Sequence, residues 1–209
     1  MELLAYSVAR PEIADGDVLL FRAGRGLFTR LIGIAGRSRI THAGMAAWWG
    51  DDLMCVHTVQ FRGGVVDHLS ALVEKSPGRI EVRRVKGNRS ARYDRRRAVA
   101  EMKSIIGKPY GWRAILAASA LHLPFVRWFF NPIFDDAANG RLPFCSAAVA
   151  RAIRAGGIDP VPNLADGMTE PGDLDRSAAL PLKFILTCDE VEHEAFFWMN
   201  SPTFCFGSA

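Results

Sequence analysis

The chain has 209 residues, of which 49% are hydrophobic and 23% charged, with a formal net charge of +4. That composition excludes a disordered chain, and the length is enough to bury a core without disulfide staples. The four cysteines, Cys55, Cys145, Cys188 and Cys205, are widely spaced and include no C-x-x-C pair. This argues against a zinc site and against a disulfide framework, and makes a reducing compartment the default expectation.

Met1 to Tyr6 lacks the basic start of a signal peptide, and Arg10, Glu12, Asp15 and Asp17 follow too soon for an apolar region. Asp15-Gly16-Asp17 reads as a turn, and Val18 to Phe21 as a buried strand. Leu27, Phe28, Leu31, Ile32 and Ile34 have the spacing of a short helix. Thr41 to Trp49 and Leu53 to Val59 are two apolar runs parted by Gly50-Asp51-Asp52, which predicts a hairpin. Gly63-Gly64 predicts a second turn, Val65 to Leu69 a third strand of this group, and Ile80 to Val85 a fourth.

Basic residues crowd the stretch from Arg79 to Arg97. Only Tyr93 interleaves with them, so we read them as a solvated loop and helix face, with no specific nucleic-acid partner. Tyr93 to Ile106 carries the apolar stripe Val99, Met102, Ile105 and Ile106 and predicts a helix, with Gly107 past its end. Trp112 to Leu123 predicts a buried helix. The apolar stretch Ala114 to Phe130 is interrupted by His122, Pro124 and Arg127 and falls short of the roughly 20 apolar residues of a membrane span. Peripheral membrane contact through 121–134 is the alternative use of this region. Cys145 opens a helix that runs through Ala155, and Gly156-Gly157 ends it. Asp159 to Gly172 reads as irregular, and Phe184 to Leu186 as a last strand. The order of strands and helices predicts an α+β fold. We expect a single domain over 1–209, with a catalytic core at about 14–187 and a C-terminal extension at 188–209.

Three side chains in these elements suggest chemistry. Cys145 stands in the first turn of its helix, where the macrodipole and unpaired N–H groups lower a thiol pKa. His42 and His57 each sit in an otherwise apolar strand, where an imidazole costs free energy unless its nitrogens are satisfied. If Gly50-Asp51 is the turn, His57 lies opposite Gly44 and His42 opposite Val59. The period of two then puts both rings on one face as diagonal neighbours, about 7–8 Å apart at the backbone. A thiol, a base and a group that orients the base are the parts of a cysteine hydrolase site.

Several ordered segments resemble a known family. They are Gly16 to Phe21, Thr41-His42-Ala43-Gly44-Met45, Cys55-Val56-His57-Thr58, Gly107-Lys108-Pro109-Tyr110-Gly111, Phe144 to Ala152, Ala155 to Ile158 and Thr169 to Leu174. With the histidine strand first and the cysteine helix last, the chain resembles the circularly permuted branch of the NlpC/P60 superfamily, papain-like amidohydrolases related to the YiiX and YebB group. The resemblance implies a permuted papain-like fold, an antiparallel sheet or barrel packed against helices with the nucleophile at a helix N-terminus. It also implies Cys145 as nucleophile, His42 as general base, His57 at a polar third position often occupied by glutamate, and Tyr110 as an oxyanion or substrate contact. No cofactor or metal is implied.

The implied reaction is attack on an amide carbonyl through a thioester, with peptidoglycan stem peptides as the substrate class. Two alternatives stand beside it. One is a lipid-directed thiol acyltransferase or acyl hydrolase. The other is a non-catalytic module, such as a component of a phage-like particle. A cytoplasmic location is the default expectation, with delivery to the cell wall by another route.

Overall fold

A computed structural model of the chain describes residues 2–24, 38–86, 92–110, 144–162 and 164–189. The short helix expected near Leu27 to Ile34, the helix from Trp112 to Leu123, the apolar stretch 121–134 and the tail beyond Asp189 lie outside the described residues.

Among the described residues seven strands form one sheet: β1 (Leu3–Ala5), β2 (Val18–Arg22), β3 (Ile40–Trp49), β4 (Asp52–Val59), β5 (Gly63–His68), β6 (Ile80–Arg83) and β7 (Leu182–Thr187). Their order across the sheet is β1-β7-β6-β2-β3-β4-β5. The β1–β7 pair is parallel, and the other neighbours are antiparallel. Among the described residues five α-helices accompany them: α1 (Tyr6–Ala9), α2 (Leu69–Lys75), α3 (Arg95–Lys103), α4 (Cys145–Ala155) and α5 (Pro171–Arg176). This is a mixed α+β architecture. β1, α1 and α2 carry no strong periodic signal and were not predicted. The strand expected at Val65 to Leu69 ends at His68, and Leu69 instead opens α2. The stretch read as irregular, Asp159 to Gly172, runs into α5, where Pro171 occupies the first turn and Glu170 and Asp173 form a capping box.

The sheet is covered on both faces, which is why β3 reads as apolar almost without alternation. On one face Leu19, Ala46, Leu53, Cys55, Ile80 and Val82 pack with Ala9, Ile13, Leu69 and Val73. On the other, Val18, Leu20, Ala43, Met45 and Val56 pack with Val99 and Met102 of α3, Val149 and Ile153 of α4 and Leu174 of α5. The face that buries α4 brings the start of that helix against β3.

Part of the basic run departs from the solvated reading. Arg83 is buried, with its guanidinium 2.5 Å from both Glu81 and Asp175. Arg84 and Arg95 meet the buried carboxylate of Asp17 at 2.5 and 3.2 Å. Burial alone would push the Glu81 carboxyl up. Hydrogen bonds from Arg83 and Arg22 more than offset this and hold it below the usual carboxylate range. The charges face inward because buried carboxylates demand partners. Arg92, Arg96 and Arg97 remain exposed.

Candidate functional site

The hairpin has the register that its turn dictates. Trp49 pairs with Asp52, and Gly44 pairs with His57. The described ladder ends at that pair, so the expected pairing of His42 with Val59 does not form. On the other edge of β3, His42 pairs with Phe21 of β2. His42, Gly44, Cys55 and His57 lie on one face of the sheet, the face of Leu19 and Ala46. Asp67 joins them, because β5 pairs Val65 with His57 and Asp67 with Cys55.

On that face the two imidazoles meet. His42 Nε2 lies 2.8 Å from His57 Nδ1, and His57 Nε2 lies 3.0 Å from Asp67 Oδ2. The histidine ring centroids are 5.1 Å apart, in an edge-on arrangement with 67° between the planes. Phe21 flanks both rings, tilted against His42 at 5.1 Å and stacked on His57 at 6.4 Å. Burial, and then the charge His57 would carry, depress the His42 pKa from 6.5 to about 3. Burial also lowers His57, although its hydrogen bond to Asp67 opposes the shift. Both rings are therefore neutral imidazoles at neutral pH.

Cys145 occupies the first position of α4 and is 5% exposed. Hydrogen bonds from the backbone N–H groups of Ala43 and Ser146 reach its sulfur. Ala43 follows His42 in β3, so the thiol sits against the strand that carries His42. These N–H groups favour a thiolate, as the helix position led us to expect, but burial outweighs them and the thiol pKa is raised. Burial thus favours the neutral thiol over the thiolate that the helix position alone would suggest.

Tyr110 is buried in a small cluster with Phe144, Cys145, Ala147 and Met168. Its hydroxyl pKa is raised, first by burial and then by proximity to the Cys145 sulfur, against an opposing hydrogen bond from the Gln60 side chain. The loop that carries it is docked on the start of β5. Gly64 N–H donates to Lys108 O at 2.8 Å, and Gly107 N–H donates to Gly64 O at 2.9 Å. Gly63 and Gly64 permit this approach, since a Cβ on Gly64 would stand 2.0 Å from Ile105 O.

Cys145 and Tyr110 thus share one cluster and His42 and His57 are in hydrogen-bond contact, and the backbone of Ala43, next to His42, links the two pairs. Asp67 and Phe21 were missed. The signal for Asp67 was the alternation of β5, which puts it on the same face as His57 once the β4–β5 register is known. Phe21 is identifiable only from the β2–β3 register.

No family model matches the chain, and no curated protein matches it. Among solved structures it is similar to the crystal structure of the metalloprotein YiiX from Escherichia coli O157:H7 (DUF1105). The TM-score is 0.53 at 15% sequence identity, over 80% of this chain and 94% of that one. This is a likeness of fold. Among the described residues, no group of three or more His, Cys, Asp or Glu side chains could hold a metal ion. The histidine nitrogens that face each other are engaged with one another and with Asp67 rather than converging on a point. Among the described residues, no helix is long and apolar enough to cross a membrane.

Proposed function

We propose that the chain is a cysteine hydrolase of permuted papain-like type that cleaves amide bonds, with its catalytic core at about 14–187 of a single domain. The observation that carries this reading is the start of α4 against β3. It sets a thiol beside the residue that follows a histidine, and that histidine is already held by a second one at 2.8 Å. His42 Nε2 is occupied by His57, which leaves Nδ1 as the basic nitrogen.

In the proposed reaction the Cys145 sulfur attacks the carbonyl carbon while its proton passes to His42. The C–N bond then breaks as His42 returns that proton to the leaving amine. Water, deprotonated by His42, attacks the resulting thioester and releases the acid and the free thiol. The resting thiol and imidazole are both neutral, so proton transfer accompanies attack instead of preceding it. The backbone N–H of Cys145 and the protonated hydroxyl of Tyr110 serve the developing oxyanion. Stem peptides of peptidoglycan are the proposed substrate class, on the strength of the motif order. A lipid acyl group is the second reading, favoured by Phe61, which is 88% exposed in the turn that also supplies Gln60 to Tyr110.

Incubation with purified sacculi and, separately, with lipid esters tests the proposal. The expected result is soluble stem-peptide fragments, a thioester on Cys145 in intact-mass spectra, and loss of both in Cys145→Ala. Release of fatty acid without sacculus products supports the second reading. Turnover that survives Cys145→Ala overturns both.

A further inference from the structure

We infer that Asp67 is a positioning residue that dictates, through His57, which ring nitrogen of His42 carries a proton. The inference rests on the reading of His42 as the base, and deepens it.

A carboxylate only accepts, so the His57 nitrogen 3.0 Å from Asp67, Nε2, must carry hydrogen. A neutral imidazole carries one N–H, so His57 Nδ1 is a lone pair. It can satisfy the nitrogen 2.8 Å away only by accepting, so His42 Nε2 donates. His42 Nδ1 is then left with its lone pair, the form a general base requires. Each hydrogen bond in the series has one allowed direction, and the carboxylate fixes the first. With the carboxylate removed, either direction satisfies the His42–His57 contact. Half of those arrangements would place the proton on the nitrogen that has to receive one.

The placement of the three groups fits this role. They come from the adjacent strands β3, β4 and β5, so their spacing is set by the sheet. The side chain of Asp67 is 31% exposed, while that of His57 is 5% exposed. The formal charge stays where water still solvates it, and only the choice of tautomer is passed inward. A charge placed directly beside His42 would carry a larger desolvation cost. Arg62 is the cation whose field also reaches His57, and it favours the neutral ring.

The test reads the tautomer itself. Imidazole 15N chemical shifts of the full chain at pH 7 distinguish a protonated from a bare nitrogen. The expected wild-type pattern is N–H at Nε2 and a bare Nδ1 on both His42 and His57. In Asp67→Ala and Asp67→Asn the His42 signals should move to a mixture of tautomers, and Asp67→Glu should restore the wild-type pattern. Hydrolysis by the first two variants should fall by between about ten- and a hundredfold. An unchanged His42 tautomer in a folded Asp67→Ala overturns the inference. The readout does not require turnover. A shifted tautomer in a protein without hydrolase activity keeps the role of Asp67 and rejects the proposed function, and an active enzyme with an insensitive tautomer does the reverse.

Discussion

Gly44 stands directly opposite His57 in the β3–β4 ladder, and a Cβ on Gly44 would lie 3.2 Å from His57 Cβ and 2.6 Å from Cys55 Sγ. The missing side chain is the room in which the second histidine and the buried cysteine are packed. Gly44→Ala should therefore destabilise the fold by about 1–3 kcal/mol, as overpacking of a filled core does. It should also tilt His57 away from His42. Urea unfolding checks the first effect, and the 15N shift of His57 Nδ1 checks the second. A variant with wild-type values in both would show that the strands yield there without cost.

The loop under Tyr110 depends on a closer approach. At Gly64 the obstacle to a Cβ is backbone, the Ile105 carbonyl at 2.0 Å, which cannot rotate out of the way. Gly64→Ala should lower stability by about 2 kcal/mol or more and release the 105–110 segment from β5. Hydrogen exchange at the amides of Gly64 and Gly107, which hold this contact, should accelerate, while the amides of β3 keep their protection. Equal acceleration throughout would point to general loss of the fold rather than undocking of the loop.

Phe61 is a bulky residue at φ 65°, in the left-handed region, and 88% of it is exposed. The conformation costs free energy that the ring does not recover by burial. Phe61→Asn should raise stability by about 0.5–1 kcal/mol, read as a higher urea midpoint at unchanged slope. A lower midpoint would mean that the ring contributes to packing after all. If the variant is more stable but less active, the strain serves substrate contact.

The buried histidines impose an acid limit on stability. His42 titrates near 6.5 when unfolded and at about 3 when folded. Between those values the unfolded chain binds more protons than the native one, so stability falls as the pH drops from 6.5 towards 3. His57, lowered by burial against the pull of Asp67, acts in the same direction. Urea midpoints across this range should decline less steeply in His42→Gln than in the wild type. Parallel declines would remove His42 as the cause.

The thiol has its own signature. The burial that raises Cys145 predicts that its alkylation by iodoacetamide keeps accelerating towards pH 9 and above. A rate already at its plateau between about pH 5 and 8 would instead reveal a preformed thiolate–imidazolium pair.

The sequence disclosed most where periodicity and a tight turn act together. Gly50 has φ 59° in the β3–β4 turn, and that turn fixes the pairing of Gly44 with His57 and the common face of the two imidazoles. Asp67 stayed hidden for the converse reason. The β4–β5 turn falls at Gln60, Phe61 and Arg62, with a phenylalanine in the left-handed region, while the Gly63-Gly64 pair that announces a turn opens β5 instead, so the register is not readable from the glycines. The inward turn of Arg83 was also illegible, since its partner Asp175 comes from a helix 92 positions away. The start of α4 at Cys145 was readable, but the balance between dipole and burial at its sulfur was not. Burial depends on β3 and on the cluster around Tyr110, which no local pattern describes.

The sheet order has a consequence for biosynthesis. β7 lies between β1 and β6, so the last described strand fills a slot bounded by two strands made much earlier. His42, His57 and Asp67 come from three neighbouring strands near the start of the chain and can pair while translation continues. The helix that opens with Cys145 emerges later, and the slot stays open until Thr187 is available. The three strands that bring His42, His57 and Asp67 together are therefore made before the helix that opens with Cys145, and their contact can form without it.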